Sequence, residues 1–267
     1  MMAWNAEGVG RSAVRRRVTR VDADHSVERP DTLAVEEPLE IRVNGEPISV
    51  TMRTPGDDID LALGFLVTEG LAGPQDIRAA SNCDDNVVDV ELQHVPARRN
   101  FYTTSSCGLC GKDSIDAVRT TSPYDASQDT TAIDEAHLLA LPDKLRAAQR
   151  GFDRTGGLHA AGLFVGGDLV CVREDVGRHN AVDKVIGWAV QHDKLPLAGT
   201  VLQVSGRASF ELVQKAVMAG IPALAAVSAP TSLAVELATD AGLTLVGFLR
   251  GTSYNIYAGA TRLRRSP

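Results

Sequence analysis

The stretch "TVLQVSGRASFELVQKAVMAGIPALAAVSAPTSLAVELATDAGLTLVGFL", residues 200–249, alternates short apolar runs with longer amphipathic runs. The runs "TVLQVS", "PALAAVS" and "LTLVGFL" are typical of buried strands, and the segments between them are typical of helices that begin near Arg207 and Thr231. Strands that alternate with helices form a sheet whose faces are covered by those helices. The stretch therefore predicts a layered α/β sheet.

The segments upstream add two hairpins and further helices. "AAGLFVGGDLVCVRED", residues 160–175, predicts a hairpin, with a helix starting near Arg178. "LEIRVNGEPISVTMRTP" predicts a second hairpin around Asn44-Gly45, followed by a helix that is capped by Asp57 or Asp58 and ended by Gly70. "NVVDVELQ" predicts a strand. In "DEAHLLALPDKLRAAQRGF" we expect Pro142 to open a second helical piece.

Composition divides the chain into three parts. Residues 1–30 are polar and predict a mobile tail, residues 31–151 a smaller α+β region, and residues 152–267 an α/β domain. A net charge of −7 and a pI near 5.4 argue against a nucleic-acid partner. No apolar run is long enough for a membrane span or a signal peptide, so we expect a cytoplasmic protein with reduced cysteines.

Polar residues recur at the predicted strand-to-helix turns. These turns gather at one edge of an open α/β sheet, where helix N-termini present free N–H groups to a ligand. Arginines can form two hydrogen bonds with phosphate, although serine and threonine at helix starts are also ordinary caps. The candidates are Arg178, His179, Asn180, Ser205, Gly206, Arg207, Ser209, Ser228, Thr231 and Ser232. Phe248 and Arg250 before a Gly-Thr-Ser turn extend the predicted phosphate site to a base.

The segment "SSCGLCGKDSI" places Cys107 and Cys110 in a Cys-x-x-Cys spacing. A zinc site needs about four ligands, and only Cys83 and Cys171 could complete one. A redox dithiol is a second interpretation, because Lys112 and a helix start would lower the pKa of a nearby thiol. The small residues around the motif favour a third interpretation, a loop with accessible thiols that carries a sulfur atom.

Several blocks in one order carry a family resemblance. "SSCGLCGKDSI", "TGGLHAAGLF", "REDVGRHNAVDKV", "SGRASFELVQKAVMAGIPALAAVSAPTSLAV" and "GFLRGTSYNIY" together resemble the formate dehydrogenase accessory family FdhD, also called NarQ. The resemblance extends from about Glu37 to Tyr257.

The resemblance implies a sulfurtransferase, an enzyme that receives persulfide sulfur from a cysteine desulfurase. The acceptor it implies is the molybdenum cofactor in its bis-pterin guanine dinucleotide form, before that cofactor enters the formate dehydrogenase apoenzyme. The implied persulfide carrier is Cys107, with Cys110 beside it. The implied cofactor contacts are Phe248, Leu249, Arg250, Gly251, Thr252 and Ser253. A cofactor-binding chaperone without sulfur chemistry and a dithiol oxidoreductase remain alternatives.

The resemblance also implies a cytidine-deaminase-like C-terminal sheet and a homodimer. The segment His159-Ala-Ala lacks the glutamate that deaminases use as general acid and base, and no Pro-Cys-x-x-Cys follows it. We therefore expect neither zinc deamination nor a permanent metal.

Overall fold

The structure, a computed structural model, describes residues 12–94 and 122–264. The strands are β1 (Ala13–Asp22), β2 (His25–Ala34), β3 (Glu37–Val43), β4 (Glu46–Arg53), β5 (Ile77–Asp84), β6 (Val87–Leu92), β7 (Ile133–Asp134), β8 (His159–Val165), β9 (Asp168–Asp175), β10 (Thr200–Val204), β11 (Ala223–Ala226), β12 (Thr244–Arg250), β13 (Ser253–Ala258) and β14 (Leu263–Arg264). The helices are α1 (Asp58–Thr68), α2 (Glu135–Ala148), α3 (Arg150–Thr155), α4 (Arg178–Gln191), α5 (Phe210–Met218) and α6 (Ser232–Asp240).

The largest sheet has six strands in the order β13-β12-β11-β10-β8-β9. Strands β10, β11 and β12 run parallel, and β8 is antiparallel to β10. One face packs on α4, α5 and α6 through a core that includes Leu202, Leu224 and Leu245, and the other face packs on α2 through Phe164 and Val246. The mixed α/β class and the three strand-like runs are confirmed.

A second sheet, in the order β4-β3-β6-β5, packs one face on α1. The Asn44-Gly45 turn that joins β3 to β4 has φ values of 51° and 82°, which suit the hairpin turn predicted for this dipeptide. The side-chain cap predicted for α1 does not form. Asp57 occupies the N-cap position without a side-chain cap bond, and Asp58 instead pairs with the buried Arg53 at 2.9 Å.

Helices α1 and α4 cross at close range and join the two sheets. A Cβ atom on Gly64 would lie 1.8 Å from the carbonyl oxygen of Asp183, and one on Gly187 would lie 1.7 Å from that of Asp60. Glycine at these two positions therefore allows backbone-to-backbone packing. Lys215 of α5 extends this contact by donating to Thr68, Glu69 and Asp183 at 2.9–3.0 Å.

Helix boundaries differ from the sequence expectations in two places. Helix α2 continues through Pro142, because Leu138, Leu141 and Leu145 stay buried on one face of it across the missing hydrogen bond. Helix α5 begins at Phe210 rather than near Arg207. Among the described residues, no helix is long and apolar enough to cross a membrane.

The N-terminal stretch contains a hairpin where composition predicts a mobile tail. Strands β1 and β2 pair over ten positions, from Ala13 with Ala34 to Asp22 with His25. In β1 the half-buried Val14, Arg16 and Val18 alternate with the exposed Arg15, Arg17 and Thr19, and composition alone does not show this period of two. We call this hairpin the ribbon.

Candidate functional site

One edge of the six-stranded sheet collects the ends of five strands. The carboxyl ends of β10, β11 and β12 lie there beside the first residue of β8 and the last of β9, because β8 runs opposite to β10 and pairs His159 with Asp175. Helices α4, α5 and α6 begin just beyond these strand ends, so their N–H groups gather at the same edge. The placement predicted from the strand-helix alternation is confirmed.

Asp175 organises the turn from β9 into α4. Its buried carboxylate accepts hydrogen bonds from the backbone N–H groups of Gly177 at 2.8 Å and Thr54 at 3.1 Å, and from the Asn180 amide at 3.0 Å. Lys184 lies 2.8 Å away as its counter-charge. Asn180, a predicted ligand contact, therefore has a structural task in this turn.

Arg178 and His179 are half-buried at the start of α4. The Arg178 Nε atom is buried without a hydrogen-bond partner among the described residues. His179 Nε2 lies 3.5 Å from the Ser209 hydroxyl and 3.8 Å from Glu211 of α5. The neighbouring His179 lowers the pKa of the Glu211 carboxyl to about 2, against the effect of its partial burial. The Arg178 guanidinium in this turn can therefore donate a hydrogen bond to a ligand.

The turn from β10 into α5 carries Ser205, Gly206 and Arg207. Ser205 extends the pairing with β8, since its Oγ accepts from the N–H of Ala160 at 2.9 Å and its own N–H donates to the Ala160 carbonyl at 3.0 Å. Arg207 is exposed. Ser205 is therefore engaged by the fold, whereas Arg207 is accessible to a ligand.

The turn after β12 holds residues 248–253. A bulge between Gly247 and Arg250 gives Phe248 a φ of 52°, a conformation that is strained for a bulky residue and is concentrated at functional sites. The Arg250 guanidinium lies 5.5 Å from the Phe248 ring centre. Leu249 is fully buried in the core beneath α2, so its side chain cannot contact a ligand at the edge. The remaining three residues, Gly251, Thr252 and Ser253, are exposed.

Direct contacts connect these turns along the edge. His179 and Ser209 join the first two turns, the N–H of Thr231 donates to the Ala208 carbonyl at 3.1 Å, and the N–H of Phe248 donates to the Ser228 carbonyl at 3.1 Å. The five neighbouring strands from β9 to β12, at about 4.8 Å spacing, span roughly 19 Å, which is long enough for a nucleotide with two phosphates. The turns that carry the predicted residues thus form one continuous row.

The thiols divide between described and undescribed parts of the chain. Cys107 and Cys110 lie outside the described residues, as does Lys112. Cys83 is exposed on β5, and burial raises the pKa of the Cys171 thiol to about 12, which leaves it a neutral core side chain. Within residues 12–94 and 122–264, no group of three or more His, Cys, Asp or Glu side chains could hold a metal ion.

His159, the first residue of β8, also lies at this edge. Gly206 lies against its ring: a Cβ on this glycine would be 3.8 Å from the His159 Nδ1 atom. Partial burial, and then the positive charges of Arg178 and His179, lower the pKa of His159, while Asp175 opposes them. Sequence reasoning missed Asp175, and the signal for it was an acidic residue at the end of the predicted strand, in the turn that leads into α4.

Replacing His159 with Gln should flatten the pH dependence of stability. Because the folded pKa lies below the unfolded value of about 6.5, the unfolded chain binds more protons, so wild-type stability falls as the pH drops below about 6.5. Urea unfolding between about pH 8 and 5 measures this slope. The exposed His137→Gln variant is the control, and an unchanged slope in His159→Gln would contradict the assignment.

Comparison with known proteins shows the family. The model of the FdhD/NarQ family matches residues 34–264. Sulfur carrier protein FdhD of Streptomyces avermitilis is 60% identical over 96% of this chain and 97% of its own. The proteins of that name from Mycobacterium tuberculosis and Sulfolobus acidocaldarius are 54% and 44% identical, over 96% and 92% of this chain and 100% and 97% of theirs.

The fold has a counterpart among solved structures. A crystal structure of a formate dehydrogenase accessory protein from Desulfotalea psychrophila matches with a TM-score of 0.78 at 24% identity, over 94% of this chain and 99% of that one. The structural match establishes the shared fold, and the relatives establish shared sequence along nearly the whole length. This chain belongs to the FdhD/NarQ family.

Proposed function

We propose that this protein is a sulfurtransferase that carries persulfide sulfur from a cysteine desulfurase to the molybdenum cofactor for formate dehydrogenase. Its curated relatives are named sulfur carrier proteins. The observation that carries the proposal is the row of turns at the sheet edge, where the Arg178 Nε atom is buried without a hydrogen-bond partner in the part of the chain that the structure describes. A buried donor of this kind calls for an acceptor such as a phosphate oxygen.

The row fits a guanine dinucleotide cofactor as substrate. Arg178, His179 and Arg207 would contact its phosphates, together with the N–H groups that begin α4 and α5. Phe248 would stack on a flat ring, with Arg250 and the exposed 251–253 turn beside it. Ser205 and Leu249 would contribute through the backbone conformation that they stabilise. For the domain with the six-stranded sheet we propose the cytidine-deaminase-like fold that the family resemblance implies.

Sulfur transfer begins at Cys107 in this proposal. Its thiolate attacks the terminal sulfur of the desulfurase persulfide; that S–S bond breaks, the desulfurase cysteine leaves as a thiolate, and a new S–S bond forms on Cys107. Cys110 either relays this sulfur to the bound cofactor or forms a disulfide with Cys107 as the sulfur leaves. The reaction belongs in the cytoplasm, where thiols stay reduced.

Mass spectrometry tests the carrier step. The full chain is incubated with a cysteine desulfurase and cysteine, without reductant, and then digested. We expect a gain of about 32 Da on the peptide that contains Cys107, reversible by dithiothreitol. A peptide that stays at its unmodified mass, while the desulfurase itself carries persulfide, would disprove the transfer.

Removal of the edge arginines should weaken nucleotide binding. Because a hydrogen bond to a charged group contributes about 1.5–3 kcal/mol, Arg178→Met should raise the Kd for guanosine diphosphate about 10- to 100-fold. Arg207→Met should have a smaller effect, since Arg207 is exposed. Isothermal titration calorimetry on the full chain measures both.

Lys144→Met provides a matched control at the opposite end of the sheet, where Lys144 lies 3.7 Å from the exposed Asp168. It should bind guanosine diphosphate as the wild type does. If Arg178→Met and the wild type bind guanosine diphosphate with equal affinity, Arg178 does not contact the nucleotide. If the wild type does not bind it, the proposed site is wrong.

A further inference from the structure

The His159 side chain lies at the sheet edge and takes no part in the hydrogen bonding of the fold. Its backbone pairs with Asp175, and its ring lies against the β10–α5 turn, where a Cβ on Gly206 would be 3.8 Å from the Nδ1 atom and 3.9 Å from Cε1. Neither ring nitrogen has a hydrogen-bond partner in residues 12–94 and 122–264. Both nitrogens of this half-buried imidazole are therefore available to a ligand.

Cationic groups from two elements surround the His159 ring. Arg178 and His179 at the start of α4 lie close enough for their positive charges to disfavour protonation of the ring. The β10–α5 turn adds Arg207, which is exposed. Arg178 has no carboxylate partner among the described residues, and its Nε atom is buried without a hydrogen bond to any of them. This end of α4 therefore attracts an anion.

The two carboxylates that bear on this group of cations have partners already. Asp175, whose charge favours protonation of His159, is buried and lies 2.8 Å from Lys184. Glu211 of α5 lies 3.8 Å from the His179 ring. Partial burial, and then the two cationic neighbours, hold the pKa of His159 below its usual value of about 6.5. The ring is therefore mostly uncharged at about pH 7 while the edge is empty.

A phosphate at this end of α4 would change the protonation of His159. The anion would accept a hydrogen bond from the buried Arg178 Nε atom and offset the positive charge that opposes protonation of the ring. In the protonated ring both nitrogens donate, so the ring could also donate to the phosphate. Such a charge-assisted hydrogen bond is about twice as strong as a neutral one, and it favours the protonated ring further.

We propose that His159 takes up a proton from the solvent when a phosphate-bearing ligand binds at the sheet edge, and that the imidazolium then contacts the phosphate beside Arg178. This assignment rests on the nucleotide site of the proposed function and adds a residue to it. Because the bound form holds one more proton than the free form, affinity for the ligand rises as the pH falls from about 8 to about 6. His159 thus makes the binding of the cofactor sensitive to pH.

Calorimetry on the full chain tests the proton uptake. The probe is diguanosine diphosphate, whose bridging phosphates lack the second ionisation that a phosphate monoester shows at about pH 6. Titrations at about pH 7 in two phosphate-free buffers of different ionisation enthalpy should show uptake of at least about half a proton. The Kd should fall about tenfold between about pH 8 and about pH 6. His159→Gln should lose both effects.

His137→Gln is the matched control. His137 is exposed and lies against Gly167 in the β8–β9 turn, at the opposite end of β8 from His159. This variant should show the proton uptake and the pH dependence of the wild type. Failure of the wild type to bind the probe at any pH would contradict the proposed nucleotide site together with the role of His159. Binding without proton uptake, or uptake that persists in His159→Gln, would overturn the role of His159 alone.

NMR of the wild type measures the same proton without any substitution. In a chain with carbon-13-labelled histidine, the ring signals of the six histidines are followed against pH with and without diguanosine diphosphate. The His159 signal, assigned by its loss in His159→Gln, should titrate at higher pH in the complex, whereas the His137 signal should not move. An unchanged titration of His159 in a chain that binds the probe would overturn the proposal.

Discussion

The Cys107→Ala variant should lose at least about a hundredfold of the ability to activate formate dehydrogenase, because no other atom can take over the covalent step of a cysteine carrier. Complementation of a strain that lacks the protein, with formate oxidation as the readout, measures this loss. The same variant should still bind guanosine diphosphate with wild-type affinity, since the sheet edge is built from other residues.

Two comparisons make that result decisive. Cys83→Ala, which removes the exposed thiol of β5, should retain full activation. Near wild-type activation by Cys107→Ala would instead favour the chaperone alternative, in which the protein holds the cofactor without carrying sulfur. Cys110→Ala distinguishes relay from disulfide release, because a relay requires Cys110 in every turnover and a release step can be replaced by an external reductant.

The Lys184→Met variant should lose about 3–5 kcal/mol of folding free energy, because it leaves the buried Asp175 carboxylate without a counter-charge. Lys184 and Asp175 are 1% and 0% exposed, and Lys184 also donates to the Thr54 carbonyl at 2.9 Å. Of a total stability of roughly 5–15 kcal/mol this is a large fraction, so unfolding by urea should show it clearly.

A second variant tests whether the unpaired Asp175 charge causes this loss of folding free energy. Combining Lys184→Met with Asp175→Asn should recover part of the loss, since the amide removes the unpaired charge. Lys144→Met, which breaks an exposed ion pair, should cost less than about 1 kcal/mol. A Lys184→Met variant as stable as Lys144→Met would show that the buried pair does not stabilise the joint between the two sheets.

Local patterns predicted most of the strands correctly for a simple reason. The Asn44-Gly45 hairpin and the strands of the 200–249 stretch are specified by side-chain alternation and by a turn that needs positive φ, and both are properties of neighbouring residues. The prediction that Pro142 opens a second helix was wrong, because the local signal was outweighed by three leucines that pack on the sheet. The prediction that Asp58 caps α1 was wrong for the same kind of reason, since its carboxylate pairs with Arg53 of β4.

The sequence by itself determined the α/β class, the hairpins, the row of polar turns and the Cys-x-x-Cys motif, because these depend on residue type and spacing. Only the tertiary structure decided that Leu249 faces the core, that Ser205 and Asn180 are used by the fold, and that His159 joins Arg178 at the edge. It also placed the buried Lys184–Asp175 pair between the two sheets and formed the ribbon where composition predicts a mobile tail. Those features depend on contacts between residues up to about 130 positions apart, whose partners no local pattern specifies.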